Sequence, residues 1–186
     1  AERLEQLVKK HSGKKKKQIG KKGKGKKGGG AQQINYNARV LELDDGGKDT
    51  LIGQAAANGY LGVLERLLRI KGINVNQGSE PAGFTPLYAV AQKDHVRCVE
   101  RLLAADGIDV NRAKKDGATP LFSACQNGCI RSVRLLLAKE GIRVNQATHD
   151  DATSTTSTHG SIGARPFQSV TPLRIAAQQG RLDVVR

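Results

Sequence analysis

Apolar residues return along this chain at fixed distances from four threonines. With Thr50, Thr85, Thr119 and Thr171 as position zero, position two holds Ile52, Leu87, Leu121 or Leu173. Positions five and six hold Ala55-Ala56, Val90-Ala91, Ala124-Cys125 and Ala176-Ala177. Position fourteen holds Leu64, Val99, Val133 and Val185, and a Leu-Leu pair follows at Leu67-Leu68, Leu102-Leu103 and Leu136-Leu137. Polar residues fill the positions between. Offsets of two, five and six place one apolar stripe on a short helix, and offsets of eleven, fourteen, seventeen and eighteen place one on a second. Thr85 and Thr119 stand 34 residues apart. A pattern repeating at that period is an array of identical small units, each unable to bury its own apolar face alone.

The punctuation between the stripes fits the same reading. Thr is a good N-cap, because its hydroxyl accepts from an orphan N–H of the first turn. Pro86, Pro120 and Pro172 follow directly, where a missing N–H costs nothing and the fixed φ suits a helix. At position nine stand Gly59, Asp94, Gly128 and Gly180, residues that tolerate a left-handed backbone. Gly72, Gly107 and Gly141 are expected to end the second helices as C′ residues. Extended Ile-x-Val-Asn segments then lead into turns, "EPAGF" before Thr85 and "KKDGA" before Thr119. Leu102 and Leu136 fall at the centre of the buried pattern, so the stack requires both to be hidden from water.

These columns resemble the ankyrin repeat. "TPLYAVAQKDHVRCVERLLAADGIDVNRAKKDGA" and "TPLFSACQNGCIRSVRLLLAKEGIRVN" follow that family's motif, and the resemblance runs over roughly residues 45–186. It implies an all-α fold, an ankyrin-repeat solenoid of helix-turn-helix units with β-turn fingers; before it in the chain stands a basic N-terminal segment expected to be disordered. The units fall at about 45–79, 80–113, 114–148 and an incomplete 166–186, with a Ser/Thr-rich insert over 149–165. Two departures stand out: the family's His at position three is Gly53, Tyr88, Phe122 or Arg174 here, and the first unit has Leu51 in place of Pro.

Charge divides the chain. The net charge is +14, and residues 1–30 supply +10 of it through 12 basic and 2 acidic residues, which leaves the repeats close to neutral. Within the basic segment drawn to residue 44, "GKKKKQIGKKGKGKKGGG" is expected to be disordered, since its lysines repel one another and its glycines lose much backbone entropy on ordering. A solvated linker, a nuclear-localisation or nucleic-acid contact, and attachment to an acidic membrane surface are the competing readings. No aromatic residue interleaves the lysines, so base stacking by this segment is unsupported. The insert "HDDATSTTSTHGSIGARPFQ" offers little to bury and is expected to form a mobile loop at a finger tip.

Several apparent chemical motifs dissolve in context. Gly23, Gly25 and Gly28 spell G-x-G-x-x-G, but lysines flank them and no strand pattern precedes them. Cys125 and Cys129 with His149 and His159 could be drawn as a zinc site. The columns make Cys125 a replacement for a small core residue, and Cys98 shares a column with Val63 and Val184. No catalytic, cofactor or metal residue is assigned, and the chain is not expected to be an enzyme. Three cysteines, no secretory signal and no apolar run of membrane-spanning length suggest an intracellular protein, cytoplasmic or nuclear. The absence of methionine suggests a piece of a longer protein.

The function implied by the resemblance is a protein–protein interaction module, a scaffold or adaptor fragment acting as a monomer and binding its partner through finger tips and the concave helix face. Carried onto this chain, the family's contact positions at the finger tips are Glu80, Pro81, Ala82 and Phe84, then Lys114, Lys115 and Asp116. On the exposed ends of the first helices they are Gln92, Lys93, Gln126, Asn127, Gln178 and Gln179. The alternative is a nucleic-acid-associated protein working through residues 1–30.

Overall fold

The computed structural model describes Asn37, the backbone of residues 40–42, and residues 48–148 and 169–185. The lysine-rich run of residues 1–30, expected to be disordered, and the 149–165 insert, expected to form a mobile loop, lie outside the described residues.

Two three-residue strands, β1 (Val40–Glu42) and β2 (Lys48–Thr50), pair antiparallel with Val40 opposite Thr50. β1 lies before the boundary drawn at residue 45, and the hairpin adds a small β element to the expected helical fold. Eight helices follow among the described residues. The first helices of the units are α1 (Leu51–Ala57), α3 (Pro86–Gln92), α5 (Pro120–Asn127) and α7 (Pro172–Gln178). Their partners are α2 (Leu61–Leu68), α4 (Val96–Leu103), α6 (Ile130–Leu137) and the short α8 (Leu182–Val185). Each helix packs on its counterpart in the next unit, so the units are shelved in sequence order.

The threonine columns do what their chemistry predicts. The hydroxyls of Thr50, Thr85 and Thr119 accept from the N–H of Gly53, Tyr88 and Phe122 at 3.0, 3.1 and 3.1 Å, and Thr171 from Arg174 at 3.4 Å. Such a cap is worth about 1 kcal/mol. Position nine is left-handed in every unit, with φ of 66°, 52°, 70° and 66° at Gly59, Asp94, Gly128 and Gly180. The next residue's N–H reaches back five residues to a carbonyl of the first helix, as in Cys129 to Ala124 at 2.9 Å, which closes the helix in a Schellman turn. The C′ assignment of Gly72, Gly107 and Gly141 needs correction. The second helices end earlier, at caps Arg69, Ala104 and Ala138 in right-handed conformation. Each glycine sits three residues beyond, where the chain reverses with φ of 71–80°.

The core follows the columns through most of the stack, but Leu137, Leu173 and Val185, which the columns place in it, are exposed. Leu64, Leu102 and Leu136 are 0% exposed, as are Ala55, Ala56, Ala91, Ala124 and Ala176 between the first helices. Burial of one leucine is worth about 1.5–3 kcal/mol. Small residues at positions five and six let adjacent first helices approach closely. Gly53 replaces the larger residue of the other units for a local reason: a Cβ there would lie 2.2 Å from Asp49 Oδ1. Asp49 is buried and accepts from its neighbour's backbone, Thr50 N–H, and from Gln54 Nε2.

Stacking is reinforced by side chains that cross from unit to unit. Asn76 donates to Gly107 O at 2.7 Å and accepts from Asp109 N–H at 2.9 Å. Asn111 does the same to Gly141 and Arg143. Asn37 stands in the same relation to Gly72 and Asn74. Lys93 Nζ reaches Ala57 O at 2.8 Å and Lys139 Nζ reaches Leu103 O at 2.9 Å, each cation placed at the carbonyl end of a helix in the preceding unit.

Candidate functional site

Two fingers stand out as ordered and exposed. The second closes through Ser79 N–H to Phe84 O at 2.9 Å, and the third through Lys114 N–H to Ala118 O at 3.0 Å. Gly83 and Gly117 turn the two corners with φ of 81° and 83°, which an L side chain adopts only under strain. The same closure recurs in the fourth unit, where Thr148 N–H donates to Val170 O at 3.0 Å. Thr148 and Val170, which flank the insert in sequence, therefore meet at a finger base.

The fingers are also laced to one another. Lys48 and Glu80 exchange two backbone hydrogen bonds, and Lys115 N–H donates to Ala82 O at 3.0 Å. Between the second and third fingers lies an open cleft of about 440 Å³. Gly78, Ser79, Glu80, Pro81 and Gly83 line one side, and Arg112 to Lys115 the other.

The expected contact residues divide by the work they already do. Glu80, Pro81 and Lys115 are exposed at the finger tips, and Gln92, Gln178 and Gln179 are exposed at the ends of first helices. Gln126 is half-buried. The side chains of Glu80, Lys115 and these four glutamines make no hydrogen bond or ion pair among the described residues. Others are engaged internally. Lys114 pairs with Asp116 and lies 5.4 Å from the centroid of the Phe84 ring and 6.0 Å from that of Tyr88. Asp116 also accepts from Ala118 N–H at 3.0 Å. Lys93 braces α1, and Asn127 Nδ2 donates to Ser123 O at 2.8 Å. Ala82 is half-buried and offers its carbonyl to Lys115. Phe84 remains 38% exposed, with its ring 5.3 Å from that of Tyr88.

Arg112 was not among the residues expected from the sequence. It follows the Val110-Asn111 pair, so its place at the base of a finger could have been read from the columns. Asn37 was missed too, although Ile34-Asn35-Tyr36-Asn37 repeats the pattern of Ile73-Asn74-Val75-Asn76.

The perturbed titratable groups belong to core and caps. Cys98, Cys125 and Cys129 are free and buried, the packing role expected of Cys98 and Cys125. Burial pushes the Cys125 thiol up to about 11, so it stays protonated and unreactive near neutral pH. Among the described residues no group of three His, Cys, Asp or Glu side chains is placed to hold a metal ion. His149 and His159 lie outside them. Burial pushes Asp49 above the usual carboxylate range, against the hydrogen bonds from Thr50 and Gln54. Burial acts the same way on Asp94, but bonds from the Ser132 hydroxyl and N–H and from Arg131 outweigh it, leaving Asp94 below that range. None of the described helices is long and apolar enough to cross a membrane.

Sequence comparison agrees with this architecture. Cortactin-binding protein 2 of Aotus nancymaae is 40% identical to this chain over 60 residues, and the proteins of that name from Ateles geoffroyi and Chlorocebus aethiops match equally. That stretch is 32% of this chain and 4% of each relative, so the similarity concerns repeats within far longer proteins. The sequence model of the ankyrin repeats (three copies) matches residues 52–148, more than half of the chain. With its capped helix pairs, left-handed position nine and finger turns in that register, the chain belongs to the ankyrin-repeat family.

Proposed function

We propose that this chain is a protein-interaction module that grips a partner through its finger tips and the exposed ends of its first helices. Ankyrin repeats generally mediate protein–protein interaction. The observation that carries the reading is a division of labour among side chains. Most apolar column residues are buried by stacking, while Glu80, Lys115, Gln92, Gln178 and Gln179 are exposed on successive units and their side chains make no hydrogen bond or ion pair among the described residues. Such positions can vary to suit a partner without disturbing the core. Three free, buried thiols fit an intracellular setting, cytoplasmic or nuclear. The relatives' name refers to binding of cortactin, a property of those proteins; for this chain it supports only the general class of a protein partner.

A second reading rests on a specific observation, the concentration of +10 net charge in residues 1–30. Lysine at that density associates with nucleic acid through counterion release, with the repeats as a passive spacer. One experiment separates the two. Proteins from cell extract are captured on the full chain and on a chain lacking residues 1–30, with and without nuclease. The interaction-module reading expects the same protein to be retained in all four arms and to be released by charge reversal at Lys115. Capture that disappears with nuclease or with residues 1–30 would contradict it and support the second reading.

A further inference from the structure

The geometry points to the cleft between the second and third fingers as a site for an extended, carboxylate-bearing segment of a partner protein. This rests on the interaction-module reading and gives the partner a chemistry. The cleft's volume, about 440 Å³, suits a few side chains and not a folded domain. The two fingers that frame it are held together by backbone. Lys115 N–H holds the third finger to Ala82 O of the second, and Gly83 presents no side chain toward Lys114 and Lys115.

The charges on its two sides differ. On the third finger, Lys114 is paired with Asp116 and lies over the rings of Phe84 and Tyr88. Arg112 and Lys115 are exposed and have no ion-pair partner among the described residues. Across from them, Glu80 is exposed and equally unpaired. An Arg guanidinium matches a carboxylate with two parallel hydrogen bonds, which a lysine cannot do. An extended peptide points successive side chains to opposite sides. It can therefore offer a carboxylate to Arg112 and Lys115 and a cation or amide to Glu80. A nucleic-acid strand carries negative charge on every phosphate and would set one against Glu80. The two-sided arrangement favours a peptide of mixed charge over a polyphosphate.

The test uses the full chain and a displayed library of random ten-residue peptides. Sequences enriched in Asp or Glu beside a polar or basic residue are expected. A synthetic peptide from that pool is then titrated by fluorescence anisotropy. Arg112→Glu and Lys115→Glu should each weaken binding roughly tenfold, and replacing the peptide's carboxylates by amides should do the same. Glu80→Lys should shift a fresh selection toward more acidic peptides, a gain that no misfolded variant would show. Replacing Lys14, Lys15, Lys16 and Lys17 by Gln should change affinity by less than about twofold, since this run lies outside the proposed contact. Peptides without acidic enrichment, or binding indifferent to Arg112 and Lys115, would overturn the cleft assignment and leave the interaction-module reading standing. Binding that follows the Lys14–Lys17 substitutions would also overturn it. Failure to enrich any peptide would count against both.

Discussion

Asp94 shows how one side chain ties two units together. It occupies a left-handed position, φ 52°, that the other units give to glycine. The strain costs about 1 kcal/mol. Its carboxylate offsets this by accepting from the Ser132 hydroxyl at 2.7 Å and the Ser132 N–H at 3.1 Å, which caps α6 from the preceding unit. Arg131 adds a contact at 3.2 Å, but it is mostly exposed and contributes little. Asp94→Gly relieves strain and removes the cap, for a net loss of about 1 kcal/mol in urea denaturation. The pH dependence has a definite sign. The folded-state pKa lies below the unfolded value of about 3.9, so the contribution is present above about pH 4 and is lost as pH falls through the folded value. The stability gap between the parent and Asp94→Asn should therefore narrow as pH is lowered through that range. A gap that widens on acidification would refute the assignment. Ser123 presents the opposite case. Its side chain is 0% exposed and its hydroxyl has no hydrogen-bond partner among the described residues, whereas the second unit has Ala89 in that column. Ser123→Ala should leave stability unchanged or raise it by up to about 1 kcal/mol. Destabilisation of that size would reveal a bond not seen here.

Among the elements, what could be read in advance was what one unit settles within itself. Thr85 capping Tyr88, Leu87 buried at 1% and the left-handed position nine all depend on residues a few places apart, and all stand where the pattern put them. What escaped prediction depends on neighbours. The sequence places Lys114 among the finger-tip contact positions, yet Phe84 and Tyr88 of the preceding unit lie beneath it. Gly107 looks like a helix stop, but the helix has already ended at Leu103 and the glycine serves the turn that Asn76 clasps. The asparagine ladder supplies an internally controlled prediction. Asn76→Ala and Asn111→Ala each remove two cross-unit hydrogen bonds and should cost about 1–2 kcal/mol. Asn145 shares their column but is exposed and makes no such bond among the described residues, so Asn145→Ala should cost less than about 0.5 kcal/mol. Equal losses at the three sites in chemical denaturation would refute the ladder's role.

Across the whole molecule, burial is uneven along the stack. Val75 and Val110 are 6% and 7% exposed, while Val144 in the same column is 45% exposed. Leu87 and Leu121 are buried, but Leu173 is 56% and Leu182 67% exposed. In an array of this kind such faces are covered by a neighbouring unit or a polar capping unit. Fusing a designed capping unit after residue 186 should raise the melting temperature by about 5 °C or more, read by circular dichroism. An unchanged melting temperature would mean that these apolar side chains cost the free chain nothing. At this scale too, the proposed function rests on what stacking leaves unused: the core is spent on neighbours, and fingers and first-helix ends face outward. Hydrogen exchange on the full chain, with and without a captured protein partner, tests that claim most directly. Protection is predicted at residues 80–84, 92–93 and 112–116, with the second helix at 97–101 unchanged; protection confined to 97–101, with the fingers exchanging as before, would contradict it.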